Sequence, residues 1–249
     1  MVFSSLVFLF TFLPITLVVY YLAPWKIKNI VLLIASLIFY AWGEPVYIIL
    51  MLLSIIFNYF IGRDIDFNQD EPVKKKRSLI LAIVVNIFIL GFFKYYVFLI
   101  QTINSIFSIN IPYRELALPI GISFYTFQTL SYIIDVYMGK VKVQKNIFNF
   151  GLYVSLFPQL IAGPIIKYID VANQIEHRKL SMDSFGVGTM YFVRGLAKKV
   201  LLANNIGLLH TAIIGMEFSE ISVLTAWLGG AAYTLQIYFD FGGYSDMAI

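Results

Sequence analysis

Residues 2 to 22 read VFSSLVFLFTFLPITLVVYYL, an apolar and aromatic stretch without a charged side chain. As an α-helix it would extend about 31 Å, enough to cross the hydrocarbon core of a bilayer. No basic segment precedes it and no small-residue cleavage site follows it. The pattern therefore indicates a retained membrane helix and not a cleaved signal peptide.

The composition of the whole chain also indicates a membrane protein, whose main solvent is lipid. Of the 249 residues, 60% are hydrophobic and 13% are charged, whereas an ordinary soluble domain has about 25% charged residues. The sequence contains no cysteine, which excludes disulfides and cysteine-ligated metals. The net charge of +4 lies mainly in loops and forms no basic patch interleaved with exposed aromatic residues, so no nucleic-acid partner is expected.

Further apolar stretches bring the expected number of transmembrane or re-entrant helices to about eight. They cover residues 30–42, 46–61, 79–101, 118–137, 147–166, 184–204 and 222–246. We therefore predict an all-α polytopic membrane protein in which residues 1–249 form a single membrane domain. If the first loop is cytoplasmic, the odd loops hold ten basic residues, and the first three even loops hold four, namely Arg114, Lys167, Arg178 and Lys179. This asymmetry predicts an extracytoplasmic N-terminus. Residues 167–204 hold Arg194, Lys198 and Lys199 within a nominal span, so this region is either a crossing or a re-entrant or interfacial segment.

The segment LPIGISFYTFQTLSYIIDVYMGK (118–140) carries polar residues inside an apolar background. Gln128, Ser131 and Asp135 recur at spacings of three and four, so they share one face of a helix. Such a face either lines a substrate path or attaches the helix to its neighbours through hydrogen bonds. We keep both interpretations and treat the three residues as candidates for a substrate path.

The segment FPQLIAGPIIKY (157–168) contains two prolines and a Gly-Pro step. Proline removes a backbone donor, and freed backbone groups at membrane depth persist only where protein or water satisfies them. We expect a broken helix beside a cavity here, with Gln159, Gly163 and Pro164 as candidate lining residues.

The segment RGLAKKVLLANN (194–205) places Arg194, Lys198 and Lys199 within one or two helical turns. A basic cluster of this kind suits anionic head groups or a negatively charged substrate. A lipid-facing anchor explains it equally well.

The final stretch, YTLQIYFDFGGYSDMAI (233–249), carries polar residues around a Gly-Gly pair, where the backbone can bend or pack closely. An unpaired carboxylate in lipid costs several kcal/mol, so its acidic residues should face protein, water or a cation such as Arg194 or Lys198. The candidate path residues of this stretch are Asp240, Tyr244, Ser245 and Asp246.

Known catalytic and metal-binding patterns are absent from the sequence. His177 and His210 are the two histidines, and neither belongs to a metal-binding spacing. His177 lies in a charged loop and is expected to be solvated. His210 has either an interfacial packing role or a functional one.

Six stretches, in this order, resemble the bacterial membrane-bound O-acyltransferase (MBOAT) family, and the alginate O-acetylation branch in particular. They are VFSSLVFLFTFLPI, YAWGEP, LPIGISFYTFQTLSYIIDVY, FPQLIAGPI, GLAKKVLLAN and YFDFGGYSDMAI. The resemblance implies a multi-pass inner-membrane protein that moves an acyl group, usually acetyl, from a cytoplasmic thioester donor to a cell-surface polysaccharide. The donor would be acetyl-CoA or an acyl-carrier thioester, and a periplasmic acyltransferase partner is implied in some cases.

The resemblance also implies where the catalytic residues lie. In the family, an Arg-Trp-His-type and a Trp-His-Gly-type motif follow the segment similar to YFDFGGYSDMAI, and neither His177 nor His210 has such a context. The catalytic histidines are therefore expected beyond Ile249. The chain is expected to correspond to the N-terminal part of an incomplete MBOAT bundle and to be inactive alone.

Two other functions fit the residues. A transporter of a lipid-linked sugar or small anion would also need broken helices and buried charges, although no second half repeats the Gly/Pro-interrupted segment. A non-catalytic membrane scaffold for a partner transferase is the third hypothesis.

Overall fold

The structure, a computed structural model, describes residues 3–114, 116–160, 166–178, 180–217, 219 and 221–248. All regular structure in these residues is helical, which confirms the predicted all-α polytopic membrane class. The helices are α1 (Leu13–Leu22), α2 (Lys28–Gly43), α3 (Ile48–Phe67), α4 (Pro72–Phe107), α5 (Ile122–Tyr137), α6 (Ile147–Ser155), α7 (Phe157–Leu160), α8 (Tyr168–His177), α9 (Met182–Ala197), α10 (Asn204–Ile214) and α11 (Val223–Ala248).

Three helical segments among the described residues are both long and apolar enough to cross a membrane. They are Trp25–Gly43, Ile48–Phe67 and Pro72–Phe107, and Phe8–Leu22 is a shorter apolar helix. Many of their large apolar side chains are exposed, as expected where the surrounding solvent is lipid. The total of about eight helices and the orientation of the N-terminus stay predictions.

Several helix bounds differ from those predicted. The prediction 79–101 is too short, because α4 begins at Pro72, a favourable first helical residue, and includes the basic run at 74–77. The prediction 118–137 begins too early, since Gly121 precedes α5 with a φ of 75°. The prediction 2–22 also begins early: a π-helix covers Phe8–Phe12 and leads into α1.

The chain divides into two compact units. We call Val18–Ile161 with Ile165–Arg178 the core unit, and Met1–Leu17, Ala162–Pro164 and Lys179–Ile249 the hairpin unit. The prediction of a single membrane domain over 1–249 stays a prediction.

Polar pairs hold neighbouring helices of the core unit together. Asn58 of α3 and Asn86 of α4 are buried and exchange hydrogen bonds, with Nδ2 to Oδ1 distances of 3.2 and 2.8 Å. Asp64 of α3 accepts a short hydrogen bond from Ser78 of α4. In lipid, where helices lack a hydrophobic drive to associate, such hydrogen bonds favour one specific packing.

Aromatic rings form the centre of the core unit. Tyr132 of α5 packs against Phe150 of α6 with ring centroids 4.9 Å apart, and against Tyr168 of α8 at 5.0 Å. Tyr153 of α6 meets the Tyr168 ring edge-on at 5.1 Å. All four side chains are buried. These contacts lock α5, α6 and α8 together.

The hairpin unit is built from two long helical segments. α9 continues through a π-helix, Lys198–Ala203, into α10, and α11 packs against all three parts. The predicted helix at 184–204 is therefore only part of a longer helical segment that ends at Ile214. The predicted helix at 222–246 agrees closely with α11.

Candidate functional site

A helix break in the core unit lies beside Gln128 and Gln159, two residues of the predicted substrate path. α6 ends at Ser155, and α7 covers only Phe157–Leu160. The last carbonyl groups of α6 therefore lose their usual donors four residues further along the chain. At membrane depth those groups must find partners within the protein. The helix is broken as predicted, but the break lies at Leu156, one residue before the segment 157–168 in which it was expected.

Two glutamines satisfy one carbonyl at this break. Gln128 of α5 donates from Nε2 to the Tyr153 carbonyl oxygen at 2.7 Å, and Gln159 of α7 donates to the same oxygen at 2.6 Å. Both glutamine side chains are buried. The freed N–H of Phe157 donates to Ser36 Oγ of α2 at 3.2 Å. Gln128 and Gln159 therefore stabilise the broken helix by supplying the donors that its backbone lacks.

A second hydrogen-bond network joins the two ends of the broken segment. Gln144, just before α6, donates from Nε2 to the Tyr168 hydroxyl at 2.8 Å and to Glu176 Oε1 at 3.1 Å. Its backbone N–H donates to the Tyr132 hydroxyl at 2.9 Å. Tyr168 lies in α8, outside the predicted helix at 147–166, and burial raises the pKa of its phenol above the ordinary value. The phenol is therefore neutral at physiological pH.

This network brings the two ends of the segment 147–166 close together. Gln144 and Tyr168 lie on either side of the predicted crossing at 147–166, yet their side chains are in contact. A crossing would separate them by about 30 Å. α6 has only 9 residues and rises about 13 Å before the break, so of the two possibilities predicted for this segment, transmembrane or re-entrant, its length favours the re-entrant one.

The position of Arg178 also bears on the loop-by-loop count of basic residues. That count places Arg178 on the side of the membrane opposite to Lys28 and Lys145. In the structure, Arg178 donates to the Tyr20 hydroxyl at 3.1 Å and contacts Asn29, next to Lys28. Arg178 therefore lies beside the first loop, whereas the count assigns it to an even loop. The membrane orientation of this region stays a prediction.

Two adjoining pockets open beside the broken helical segment. The smaller has a volume of about 160 Å³, and Tyr153, Leu156 and Gln159 at the break are part of its lining. The larger has a volume of about 460 Å³ and a cationic lining. Ile175 and Arg178 of the α8 region line both. The predicted cavity is thus present beside Gln159, while Gly163 and Pro164 lie outside the described residues.

Within the hairpin unit, both predicted aspartates pair with lysines. Lys198 donates to Asp246 Oδ2 at 2.5 Å, and Lys199 forms an ion pair with Asp240. The expectation of a cationic partner is confirmed for both carboxylates, with Lys198 as anticipated and Lys199 in place of Arg194. Among the described residues, Arg194 forms no ion pair, and its side chain is exposed.

The Gly-Gly pair packs closely and does not bend the helix. α11 runs without interruption to Ala248. A Cβ built on Gly243 would lie 2.8 Å from the Gly195 carbonyl oxygen of α9. A Cβ on Gly242 would meet nothing within 4 Å. Close helix approach is therefore the role of Gly243 alone.

The remaining predicted path residues lie at intermediate exposure. Ser131 and Asp135 follow Gln128 on α5 and are partly exposed. In the hairpin unit, the Tyr244 ring stacks on Phe3 with centroids 4.6 Å apart, and Ser245 is partly exposed. Their role in a substrate path stays a prediction.

His210 is in contact with a neighbouring helix, and His177 is exposed. His210 Nδ1 lies 3.1 Å from the Gly229 carbonyl oxygen, and its ring stacks on Tyr233 at 4.7 Å. His177 ends α8 and is exposed. Within the described part of the chain, no cluster of three or more histidine, cysteine, aspartate or glutamate residues could hold a metal ion.

Sequence reasoning missed the residues of the larger pocket. Lys28, Asn29, Glu176 and Arg178 come from two segments about 150 residues apart. Their types are ordinary for loops at a membrane surface, so no local pattern marks them. The signal that could have drawn attention to Lys28 is its position beside three aromatic residues, in YLAPWKIK (21–28) and at Tyr20.

The chain is similar over its whole length to known acetyltransferases. It is 43% identical to a probable alginate O-acetylase of Pseudomonas aeruginosa, 42% identical to one of Azotobacter vinelandii, and 34% identical to a peptidoglycan O-acetyltransferase of Helicobacter pylori. These matches take in 48%, 50% and 53% of the relatives. The chain spans about half the length of the curated relatives it matches.

These similarities confirm the resemblance to the alginate O-acetylation branch. The chain corresponds to the N-terminal part of those proteins. No protein-family model matches it.

Proposed function

We propose that this chain forms a membrane-embedded part of an O-acetyltransferase that esterifies hydroxyl groups of a cell-surface polysaccharide. The observation that carries the proposal is the whole-chain similarity to proteins named alginate O-acetylase and peptidoglycan O-acetyltransferase. Their names share one reaction, acetyl transfer, and one class of acceptor, a glycan polymer. The buried broken helical segment with its adjoining pockets supports the proposal, because a simple membrane anchor has no need of one.

The donor in this proposal is a thioester, acetyl-CoA or an acyl-carrier thioester. The acceptor oxygen attacks the acetyl carbonyl carbon, the C–S bond breaks, an ester C–O bond forms, and the hydroxyl proton passes to the thiol. Gln128 and Gln159 stabilise the helix break that forms one wall of the proposed substrate path. Ser131, Asp135, Asp240, Tyr244, Ser245 and Asp246 are the further candidates for contact with donor or acceptor.

We place the protein in the bacterial inner membrane, with the donor on the cytoplasmic side. The polysaccharide, or a periplasmic acyltransferase partner, receives the acetyl group on the other side. The concentration of Lys26, Lys28, Lys145 and Arg178 around one pocket supports a cytoplasmic position for that face.

A domain exchange tests the function. In a Pseudomonas aeruginosa strain that lacks its own alginate O-acetylase, the part of that protein matched here is replaced by this chain, and acetyl esters on secreted alginate are quantified. We expect acetylation to be restored.

The same exchange made with the Azotobacter vinelandii relative is the matched control, because it is similarly distant in sequence from the recipient. If that control restores acetylation while the exchange with this chain, present in the membrane at equal amount, yields none, the proposed function is wrong.

A further inference from the structure

The pocket of about 460 Å³ beside α8 has a surplus of positive charge. Four cationic residues line it, Lys26, Lys28, Lys145 and Arg178, against one acidic residue, Glu176. The Glu176 carboxylate accepts a hydrogen bond from Gln144 at 3.1 Å. None of the four cations forms an ion pair with a carboxylate of the described residues. The pocket therefore attracts an anion.

Lys28 contributes a charge that is removed from solvent. Its side chain is 6% exposed. Its Nζ donates to the Tyr20 carbonyl oxygen at 2.7 Å and lies 4.5 Å from the Tyr20 ring centroid and 5.6 Å from the Trp25 ring centroid. The ring faces offset part of the cost of desolvation. They do not neutralise the ammonium, so an anion beside it is favoured.

Arg178 is held in position before any ligand arrives. Its guanidinium donates to the Tyr20 hydroxyl and to Asn29 Oδ1, and Asn29 in turn donates from Nδ2 to Asn149 Oδ1 and to the Ile175 carbonyl oxygen, both at 2.9 Å. A preorganised guanidinium loses little entropy on binding and suits the oxygen atoms of phosphate.

We propose that this pocket is a binding site for a phosphate-bearing anion. Its volume of about 460 Å³ falls within the range of about 300–1,000 Å³ that is usual for small-molecule sites. Phosphate esters occur both in a soluble thioester donor such as coenzyme A and in the headgroup of an anionic phospholipid. The inference deepens the proposed function and rests on it only for the first of these sources.

Binding is measured in nanodiscs of neutral phosphatidylcholine, with coenzyme A and with inorganic pyrophosphate as soluble probes. In a parallel arm, phosphatidylglycerol is added to the nanodiscs and its enrichment around the protein is measured. Trp25 lines the pocket, so its fluorescence reports occupancy. Phe substitutions of Trp42 and Trp227 remove the other two tryptophan signals.

The test variant is Lys26→Gln with Lys145→Gln, because both side chains are exposed and line the pocket. The matched control is Lys76→Gln with Lys142→Gln, two exposed lysines that do not line it. We expect the test variant to weaken binding at least about tenfold, since each lost charge-assisted hydrogen bond contributes about 1.5 kcal/mol or more. The control should stay within about twofold.

The arms identify the source of the phosphate. Binding of the soluble probes that is lost in the test variant supports a site for a soluble phosphate ester, whereas loss confined to the phosphatidylglycerol arm supports a headgroup site. Equal weakening in test and control variants indicates general surface attraction and overturns the proposal. So does the absence of binding in both arms.

The outcome is separable from that of the proposed function. The domain exchange can fail to acetylate alginate while the pocket still binds phosphate esters. That result would support the proposed phosphate site and refute the proposed acetyltransferase function. Arg178→Lys provides a second variant, which keeps the charge and removes the planar guanidinium. Weaker binding without a change in melting temperature is expected from it if the guanidinium contacts the ligand.

Discussion

Gln128 and Gln159 both donate to the carbonyl oxygen of Tyr153. A carbonyl has two lone pairs, so it can accept both hydrogen bonds at once. The two glutamines come from different helices, α5 and α7, and each compensates for a donor that the broken helix lacks. The polar spacing on α5 predicted either a path or a helix contact, and Gln128 makes a helix contact.

We predict that these two glutamines are coupled in stability. Gln159→Leu alone should cost about 1 kcal/mol, because Gln128 still satisfies the carbonyl. Gln128→Leu with Gln159→Leu leaves the Tyr153 oxygen without a donor at membrane depth, and should cost about 1–3 kcal/mol beyond the sum of the single changes. Thermal unfolding in nanodiscs measures the difference.

Ser131→Ala, on the same face of α5 but partly exposed, is the control and should change the melting temperature little. Additive single and double changes would show that the carbonyl has another donor in solution.

Among the elements, the α9–α10 segment and α11 show how the sequence encodes a close helix pair. Gly195 and Gly243 allow the backbones to approach, as small residues do in membrane helix pairs. Lys198 and Lys199 then pair with Asp246 and Asp240 on the facing helix. Charges that would be costly singly in lipid are thus partnered within the hairpin unit.

We predict that Gly195→Ala separates these helices. Its Cβ would lie 2.8 Å from the backbone nitrogen of Met247, an atom that cannot move without the helix. Overpacking of this kind costs about 1–3 kcal/mol, so the melting temperature should fall.

Gly242→Ala, one helical position from Gly243, is the matched control. Its Cβ would meet nothing within 4 Å, and alanine favours helix over glycine by about 1 kcal/mol. Its melting temperature should rise slightly or stay unchanged. A Gly195→Ala protein as stable as the control would contradict the close approach.

For the chain as a whole, we predict that the segment of α6 and α7 is re-entrant. If α6 and α7 return to the face they start from, α8 lies on the side of Gln144 and Lys145. The positive charges of the first loop, the loop before α6 and Arg178 then gather on one face, which agrees with the positive-inside rule better than the original count did.

Cysteine labelling tests this topology, since the chain contains no cysteine of its own. Lys142→Cys and His177→Cys should show the same accessibility to a membrane-impermeant maleimide in intact spheroplasts, and Asn110→Cys should show the opposite one. With the N-terminus outside, position 110 is labelled and positions 142 and 177 are protected. Labelling of 177 together with 110 would indicate a full crossing and exclude the re-entry.

The chemical character of the chain follows from its sequence alone. Charge-free stretches such as residues 2–22 indicate an apolar solvent, because a soluble domain of this size could not place so many uncharged runs without exposing some of them. The break at Leu156 also follows from the local sequence, since Pro158 cannot continue a helix hydrogen-bond ladder. The need of Asp240 and Asp246 for partners follows equally from the cost of a lone charge in lipid.

The identity of those partners and the return of the broken helix depend on long-range packing. Lys199 and not Arg194 faces Asp240, and Gln144 meets Tyr168, because helices that are distant in sequence set which side chains come within hydrogen-bond distance. The cationic pocket has the same origin: Asn29 and Arg178 are ordinary loop residues until folding brings them together. Spacing along one helix carries no information about a contact between two helices.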